Sequence, residues 1–376
     1  MKILYFSQYY LNKGGAEKNL LQLVKGLQHK YGLFLAGPMS NIFFNEIKKF
    51  KIKVYRISQF SKFNIFFSSR LIKKILEKES IDILHTIDPR ARLFAVSAIK
   101  NLKVKLVHTV HSSPLFYTSG GIKKSIYKKM EKELNKRTDK IIFVSSCIKN
   151  LYQREQILPE NNWTIVYNGI DLDYSNFFLN NKESIKKNIS KKYHLENDKV
   201  VTFVGRFSIQ KGLIYLINSA IEIVKNFSNI KFILVGDGKE KKCILDKIRR
   251  YNLEKYFLLT GFQEQNEVYK ILVSSDIFVL PSIYELFPYT TLEAMSLGVP
   301  IVATNVGGNN EIIQENTNGF LVPPKDGNAL SLAILKILKD KKLAEKFSQN
   351  NLRDIQNFGV EKMVAQTEKV YKEILK

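Results

Sequence analysis

Two glutamates, Glu285 and Glu293, are separated by seven residues in the stretch Pro281-Ser282-Ile283-Tyr284-Glu285-Leu286-Phe287-Pro288-Tyr289-Thr290-Thr291-Leu292-Glu293-Ala294-Met295. An apolar run precedes them and a helical pattern takes in the second. Pro288 suits the first turn of that helix, where a missing N–H matters least. Glu285 then lies in the loop and Glu293 on the second turn, both able to face the carboxyl edge of a sheet. Carboxylates there can grip hydroxyls, while the helix N-terminus beside them can bind phosphate. A second stretch, Val204-Gly205-Arg206-Phe207-Ser208-Ile209-Gln210-Lys211-Gly212, places two cations on a strand-to-helix loop, where a pyrophosphate needs counter-charge. Solvated surface charge accounts for them equally well. The pair Gly14-Gly15 precedes the first helical pattern and either lets a ligand approach the backbone or simply makes a turn. His85 and His111 end strands on the ligand edge; His108 lies inside a strand and reads as a core residue, and His29 and His194 read as surface.

Other chemistries are weakly supported. Gly236-Asp237-Gly238 lacks the third glycine of a dinucleotide fingerprint, and no Gly-Lys-Ser/Thr phosphate loop is present. Asp171-Leu172-Asp173 has the form of a metal-binding pair but follows Asn168-Gly169-Ile170 at the edge of a polar connection, so no metal is expected. Cys147 and Cys243 fit neither a disulfide framework nor a zinc pattern, and read as reduced thiols of a cytoplasmic protein.

The elements that must position these residues alternate. Short runs rich in Ile, Val and Phe at 2–6, 32–36, 53–57, 81–85, 105–110, 140–145 and 163–167 are separated by amphipathic segments. A second series follows at 200–204, 231–235, 257–260, 277–280 and 300–303. That alternation predicts βαβ units and parallel sheets. The expected organisation is an α/β protein of two facing Rossmann-like, doubly wound domains with a cleft between them. The first spans 1–170 and the second 199–358. A polar linker, 171–198, with a short helix near 182–192, joins them, and a C-terminal helix, 359–376, returns to the first domain. The last segments, 329–339, 343–356 and 360–375, read as helical without further strands.

At the acidic pair the sequence resembles the retaining, nucleotide-sugar-dependent glycosyltransferases of family 4, which have the GT-B fold. The E-x7-E pattern is met by Glu285 and Glu293. In the family's order also come Gly14-Gly15-Ala16-Glu17, His111, Ser145-Ser146, Asn168-Gly169-Ile170-Asp171, Gly205-Arg206 with Lys211-Gly212, Gly236-Asp237-Gly238, Gly298-Val299-Pro300 and Gly307-Gly308 with Glu311. The resemblance implies that Glu285 binds donor-sugar hydroxyls and Glu293 the ribose. It implies that Arg206 and Lys211 neutralise the diphosphate in place of a metal, and that Gly15 offers its N–H to the phosphate, beside Gly14. His111 would meet the sugar near the reacting centre, Gly261 and Phe262 would cover the base, and His85 with Asp88 would line the acceptor side. No cofactor is implied beyond the nucleotide-sugar co-substrate. The acceptor would be a glycan or a lipid-linked molecule, in cell-surface polysaccharide or glycolipid assembly. Where the family commonly reads Gly-Phe-Gly after the first glutamate, this chain has Leu286-Phe287-Pro288, so one phosphate contact moves to Tyr289 or Thr290.

Composition frames these readings. The chain has 376 residues, with 45% hydrophobic and 12% aromatic content, which excludes disorder. Its 59 Lys and Arg against 35 Asp and Glu give a formal charge of +24. The lysine-rich stretch 122–137 reads as an amphipathic helix that would rest on the anionic inner face of the cell membrane through Lys123, Lys124, Lys128 and Lys129. A solvated face is the other reading. The first residues read as a strand and not a leader, and no run reaches the apolar length of a membrane span. The charge also admits a nucleic-acid binder, but no nucleic-acid module is present and none is expected to bind. The nearer alternative is a nucleotide-sugar epimerase or phosphorylase of the same fold, against which the glutamate spacing and Gly14-Gly15 weigh.

Overall fold

The computed structural model describes residues 1–8, 10, 14–57, 65–116, 120–195 and 197–376. The chain divides into two compact units, Met1–Gly169 with Val360–Lys376, and Ile170–Gly359. Each is built on one parallel sheet.

In the first unit the strands are β1 (Lys2–Phe6), β2 (Gly32–Gly37), β3 (Lys53–Arg56), β4 (Ile83–Thr86), β5 (Lys105–Val110), β6 (Lys140–Phe143) and β7 (Trp163–Ile165), in the order β3-β2-β1-β4-β5-β6-β7. Their period of two decides which core each residue enters. Ile3, Tyr5, Leu33, Leu35 and Ile83 face a core built with helix Gly15–Leu27 and the C-terminal helix Val360–Ile374. Leu4, Phe6, Phe34, Ala36 and Leu84 face the opposite core, with Phe94 and Ala95 of helix Pro89–Ala98. Apolar residues on both faces are what a parallel sheet covered by helices requires. The C-terminal helix is held through Met363, Val364, Val370 and Tyr371, all buried in the first of these cores.

The second unit carries β8 (Lys199–Val204), β9 (Ile230–Val235), β10 (Phe257–Gly261), β11 (Ile277–Leu280), β12 (Ile301–Thr304) and β13 (Gly319–Val322), in the order β10-β9-β8-β11-β12-β13. Strand β13, four residues of Gly-Phe-Leu-Val, lies between the last predicted strand and the helical segments that follow, where the sequence predicted no element. It pairs along the whole of β12, which supplies the hydrogen bonds that so short a run cannot signal by itself.

The predicted polar linker 171–198 requires correction. Besides the expected short helix, which runs Lys182–Tyr193, it forms a second one, Leu172–Asn180, and the stretch belongs to the second unit. Asp171, the first residue of the apparent metal motif, caps the earlier helix by accepting from Tyr174 N at 3.0 Å. The overall polarity hid two apolar footholds. Ile185 and Ile189, four apart, are buried on the later helix, and Tyr174 packs edge-on against Tyr269 at 4.9 Å between centroids. Helix Asn41–Ile47, capped by Ser40 Oγ on Phe43 N, is likewise absent from the sequence expectation, being only seven residues long.

Candidate functional site

The order of each sheet reverses at one place, between β1 and β4 in the first unit and between β8 and β11 in the second. Loops leaving the carboxyl ends of such strand pairs separate and leave room for a ligand.

In the second unit those loops are 205–212 and 281–288. Ile283 N donates to Gln210 O at 2.7 Å, and Gln210 Nε2 donates to Tyr284 O at 3.1 Å, so the loops are tied together by backbone. At their meeting point Lys211 Nζ stands 2.5 Å from Glu285 Oε1, with the side chains 17% and 6% exposed. Ser282 Oγ donates to the same carboxylate oxygen at 2.6 Å. The glutamate and the lysine assigned to two different parts of a donor therefore hold each other. Burial strengthens this charge-assisted pair, while its small residual exposure keeps it open to exchange with a ligand.

The support beneath Glu285 is steric. Gly307 has φ +52°, in the left-handed region, and a Cβ there would fall 1.7 Å from Glu285 O. Gly308 N donates to Glu285 O at 3.3 Å, and Thr304 Oγ1 donates to Ser282 O at 2.6 Å. The supporting roles of Ser282 and Thr304 went unread in the sequence, and Gly307-Gly308 stood out there only as a family mark, without its part in holding the Glu285 carbonyl. The position of Ser282, three residues before Glu285, is the signal that could have flagged the first of them.

Pro288 is the residue preceding helix Tyr289–Ser296, one position earlier than the first turn predicted for it. The helix's own ladder begins with Leu292 N to Pro288 O at 3.5 Å, so the N–H groups of Tyr289, Thr290 and Thr291 lie outside it. Thr290 Oγ1 is buried without a hydrogen-bond partner among the described residues. Glu293 is buried on the second turn, close enough to Tyr269 and Tyr174 for its charge to push both phenols up, after the larger effect of their burial. Arg206 is exposed and makes no ion pair among the described residues, unlike Lys211. Gly261 ends β10 at φ +71°, and Phe262 beyond it is 57% exposed.

The first unit arranges its candidates differently. Gly14 precedes helix Gly15–Leu27 in extended backbone, with no side-chain cap on the helix. His111 follows β5 and is half-buried; its Nε2 is closed off from solvent and has no hydrogen-bond partner among the described residues. Burial pushes its imidazole down to about 4, so it is neutral at pH 7. A neutral ring with an unmet nitrogen can give or take one hydrogen bond from a hydroxyl.

His85 and Asp88 require correction. His85 is wholly buried, with Nδ1 2.6 Å from Tyr371 Oη and Nε2 2.7 Å from Thr109 Oγ1, and burial pushes it down to about 3. It pins the C-terminal helix to β4 and β5 and lines no surface. Asp88 accepts from Ala91 N, Ser7 Oγ and Gln8 N, each at 2.8 Å. It caps helix Pro89–Ala98 and ties down the chain leaving β1, which uses its carboxylate for folding. His108, as predicted, is buried, with Nδ1 2.9 Å from Thr86 Oγ1.

On helix Gly121–Lys136, Lys124 and Lys128 reach Glu155 at 2.7 and 3.3 Å, whereas Lys123 and Lys129 are exposed. Among the described residues no group of three or more His, Cys, Asp or Glu is placed to hold a metal ion, and no helix is long and apolar enough to cross a membrane.

With this geometry in place, likeness to known proteins is informative. Residues 184–354 match the family Glycosyl transferases group 1, and residues 13–174 match Glycosyltransferase Family 4. An Escherichia coli relative, UDP-Gal:alpha-D-GlcNAc-diphosphoundecaprenol alpha-1,3-galactosyltransferase, is 30% identical over 302 residues, covering 79% of this chain and 77% of its own. The Bacillus anthracis N-acetyl-alpha-D-glucosaminyl L-malate synthase is 27% identical over 341 residues, covering 89% and 85%. Among solved structures, Anabaena HepE in complex with UDP-glucose superposes with a TM-score of 0.86 at 21% identity, covering 99% of this chain and 100% of that one. A glycosyltransferase from Rickettsia africae gives 0.85 at 23%, covering 100% and 98%.

Proposed function

The chain belongs to the group 1, family 4 glycosyltransferases of GT-B fold, and on that premise we propose that it moves a hexose, with retention, from a nucleoside-diphosphate sugar to a glycan or lipid-linked acceptor. The observation that carries this reading is the Lys211–Glu285 pair at the β8/β11 switch point, beside the helix that starts at Tyr289. Donor binding would divide the pair. Lys211 turns to the diphosphate together with Arg206, and Glu285 takes hydroxyls of the sugar. As the anomeric bond breaks, charge grows on the departing diphosphate, and the two cations with the N–H groups of Tyr289 and Thr290 stabilise it. That charge balance lets the reaction proceed without a metal ion. Pro288 offers no N–H, and the unpartnered hydroxyl of Thr290 supplies the replacement donor.

Glu293 is assigned to the ribose, and Gly261 with Phe262 to the base. For the first unit, His111 is assigned to the reacting sugar and Gly15 N–H to phosphate. Retention follows if the acceptor attacks the face that the diphosphate leaves, the leaving phosphate itself taking the acceptor's proton. The names of the relatives support a uridine nucleotide as donor and a diphosphate-lipid-linked sugar as acceptor, the setting of cell-surface glycan assembly at the inner leaflet.

Calorimetric titration with UDP and a panel of UDP-sugars tests the donor assignment, and the anomeric configuration of the product, read by NMR, tests retention. Arg206→Ala and Glu285→Ala should each weaken donor binding at least about tenfold, the scale of removing one charge-assisted hydrogen bond. Unchanged binding in both variants would remove the site assignment. Full activity in the presence of a chelator is expected, and its loss would overturn the metal-free reading.

A further inference from the structure

Helix Gly121–Lys136 has two faces that its sequence alone mixes. On the inner face Arg92, fully buried, reaches Glu131 at 2.7 Å, Asn135 Oδ1 at 2.5 Å and Thr138 Oγ1 at 3.0 Å. Tyr152 Oη donates to Glu131 at 2.9 Å, and Lys124 and Lys128 are drawn inward to Glu155. This network fixes the rotation of the helix, because turning it would strand a buried guanidinium and a buried carboxylate. The outer face is therefore held outward. It presents Ile122 and Ile126, one turn apart and 80% and 63% exposed. Around them stand exposed Lys123, Lys129, Lys132, Lys136 and Arg137, with Glu133 the one acidic residue on that face. Lys123, Lys129 and Lys132 have no ion-pair partner among the described residues.

We propose that this outer face docks on an anionic lipid bilayer, with Ile122 and Ile126 entering the headgroup boundary and Lys123 and Lys129 meeting lipid phosphates. Charge complementarity and size together select this occupant. Two isoleucines ringed by lysines match a surface that is apolar just below a layer of negative charge. They make too small an apolar patch for the roughly 1,000 Å² of a stable protein interface. Lys124 and Lys128, which the sequence pattern groups with the lipid-facing lysines, serve the inner face instead. The helix leaves the carboxyl edge of the first unit's sheet, the edge that carries His111 after β5. Docking it would bring that edge to the bilayer, and on the transfer reading above a lipid-linked acceptor would meet the enzyme there.

The test is co-sedimentation of the full chain with vesicles of mixed phosphatidylglycerol and phosphatidylcholine, against vesicles of phosphatidylcholine alone. It needs no donor and no turnover, so its failure leaves the transfer reading untouched. Binding is expected on the anionic vesicles only, and it should weaken with salt. Ile122→Ser with Ile126→Ser should lower the partition coefficient at least about tenfold. Lys123→Gln with Lys129→Gln should lower it roughly thirtyfold, at about a factor of five per lysine. Lys124→Gln with Lys128→Gln should stay near the wild type. Wild-type binding by the isoleucine variant, or a larger loss in the Lys124/Lys128 variant than in the Lys123/Lys129 variant, overturns the proposal. So does self-association without vesicles that the isoleucine variant abolishes in sedimentation velocity, since a second copy would then be the occupant.

Discussion

The two switch points share a topology and use it in opposite ways. After β8 and β11, Lys211 and Glu285 neutralise each other with a little solvent exposure left, and Arg206 stands exposed on the same loop as Lys211. After β1 and β4, the carboxylate of Asp88 already accepts three hydrogen bonds from the chain. Identical strand order therefore guarantees a ridge of loops but no chemistry. What makes the ridge a site is charge whose partners can be exchanged. In the first unit an unmet imidazole nitrogen lies one strand further out, at His111 after β5, above a core that buries two more neutral histidines.

Acid should separate the units most strongly. His85 sits at about 3 and His111 at about 4, and His108 well below its ordinary value, all chiefly through burial. Their folded values lie below the unfolded value near 6.5, so the unfolded chain takes up protons first. Stability is complete above about pH 6.5 and falls as the pH drops from there toward 4. Each histidine contributes up to about 1.4 kcal/mol per pH unit, so three remove roughly 4 kcal/mol per unit. The second unit's one histidine, His194, is exposed. Urea unfolding followed by unit-resolved proteolysis at pH 7.5 and 5 should show the first unit losing ground alone; parallel loss in both would break the comparison.

Asp88→Ala comes next. It removes a helix cap and leaves the buried Gln8 N–H without its acceptor, for about 2–3 kcal/mol of stability, while UDP affinity of the folded protein should hold. The Lys211–Glu285 pair should behave in reverse. Lys211→Met abandons a buried carboxylate, costing about 2 kcal/mol, and adding Glu285→Gln should recover most of that while donor binding stays absent. A double variant no more stable than Lys211→Met would mean the pair is not coupled. Gly307→Ala tests the clamp. The left-handed φ costs about 1 kcal/mol, and the displaced Glu285 carbonyl should weaken UDP-sugar binding more than UDP binding, because Glu285 is assigned to the sugar.

Much of this is legible in the amino-acid order alone. The alternation of apolar runs and amphipathic segments carries both sheets, because a parallel strand buried on two faces must be apolar almost throughout. Glu285, Arg206 and Lys211 stand out as charges on strand-to-helix loops and Glu293 as one on the helix that follows, and the structure joins two of them. Long-range satisfaction is invisible there. Tyr371 lies 286 residues from His85 and Ser7 lies 81 from Asp88, so nothing local announces that the histidine and the aspartate are already bonded. Helix Leu172–Asn180 is masked by polar composition and β13 by its four-residue length, whereas helix Lys182–Tyr193 forms where the sequence placed a short helix, near 182–192. The lysines of helix Gly121–Lys136 look alike because Glu155, which sorts them, sits beyond another strand.

The smallest effect sharpens the largest. Glu368, on the C-terminal helix, is drawn down to about 2 by Lys372, Tyr31 and Lys30, the last two at 2.7 and 3.0 Å. Its folded value lies below the unfolded carboxylate value, so its contribution is present above about pH 4.5 and fades as the pH falls from there toward 2. Both lysines are more than half exposed, so solvent screening holds the contribution below about 1 kcal/mol. Glu368→Gln should therefore cost the first unit a little at pH 7, and the difference from wild type should close between pH 4.5 and 2. It should leave untouched the steeper loss between pH 6.5 and 4.5, which belongs to the histidines. If Glu368→Gln instead flattened that upper window, the acid sensitivity of the first unit would lie in its helix clasp and not in its buried imidazoles. The contrast between the two units would then rest on the C-terminal helix.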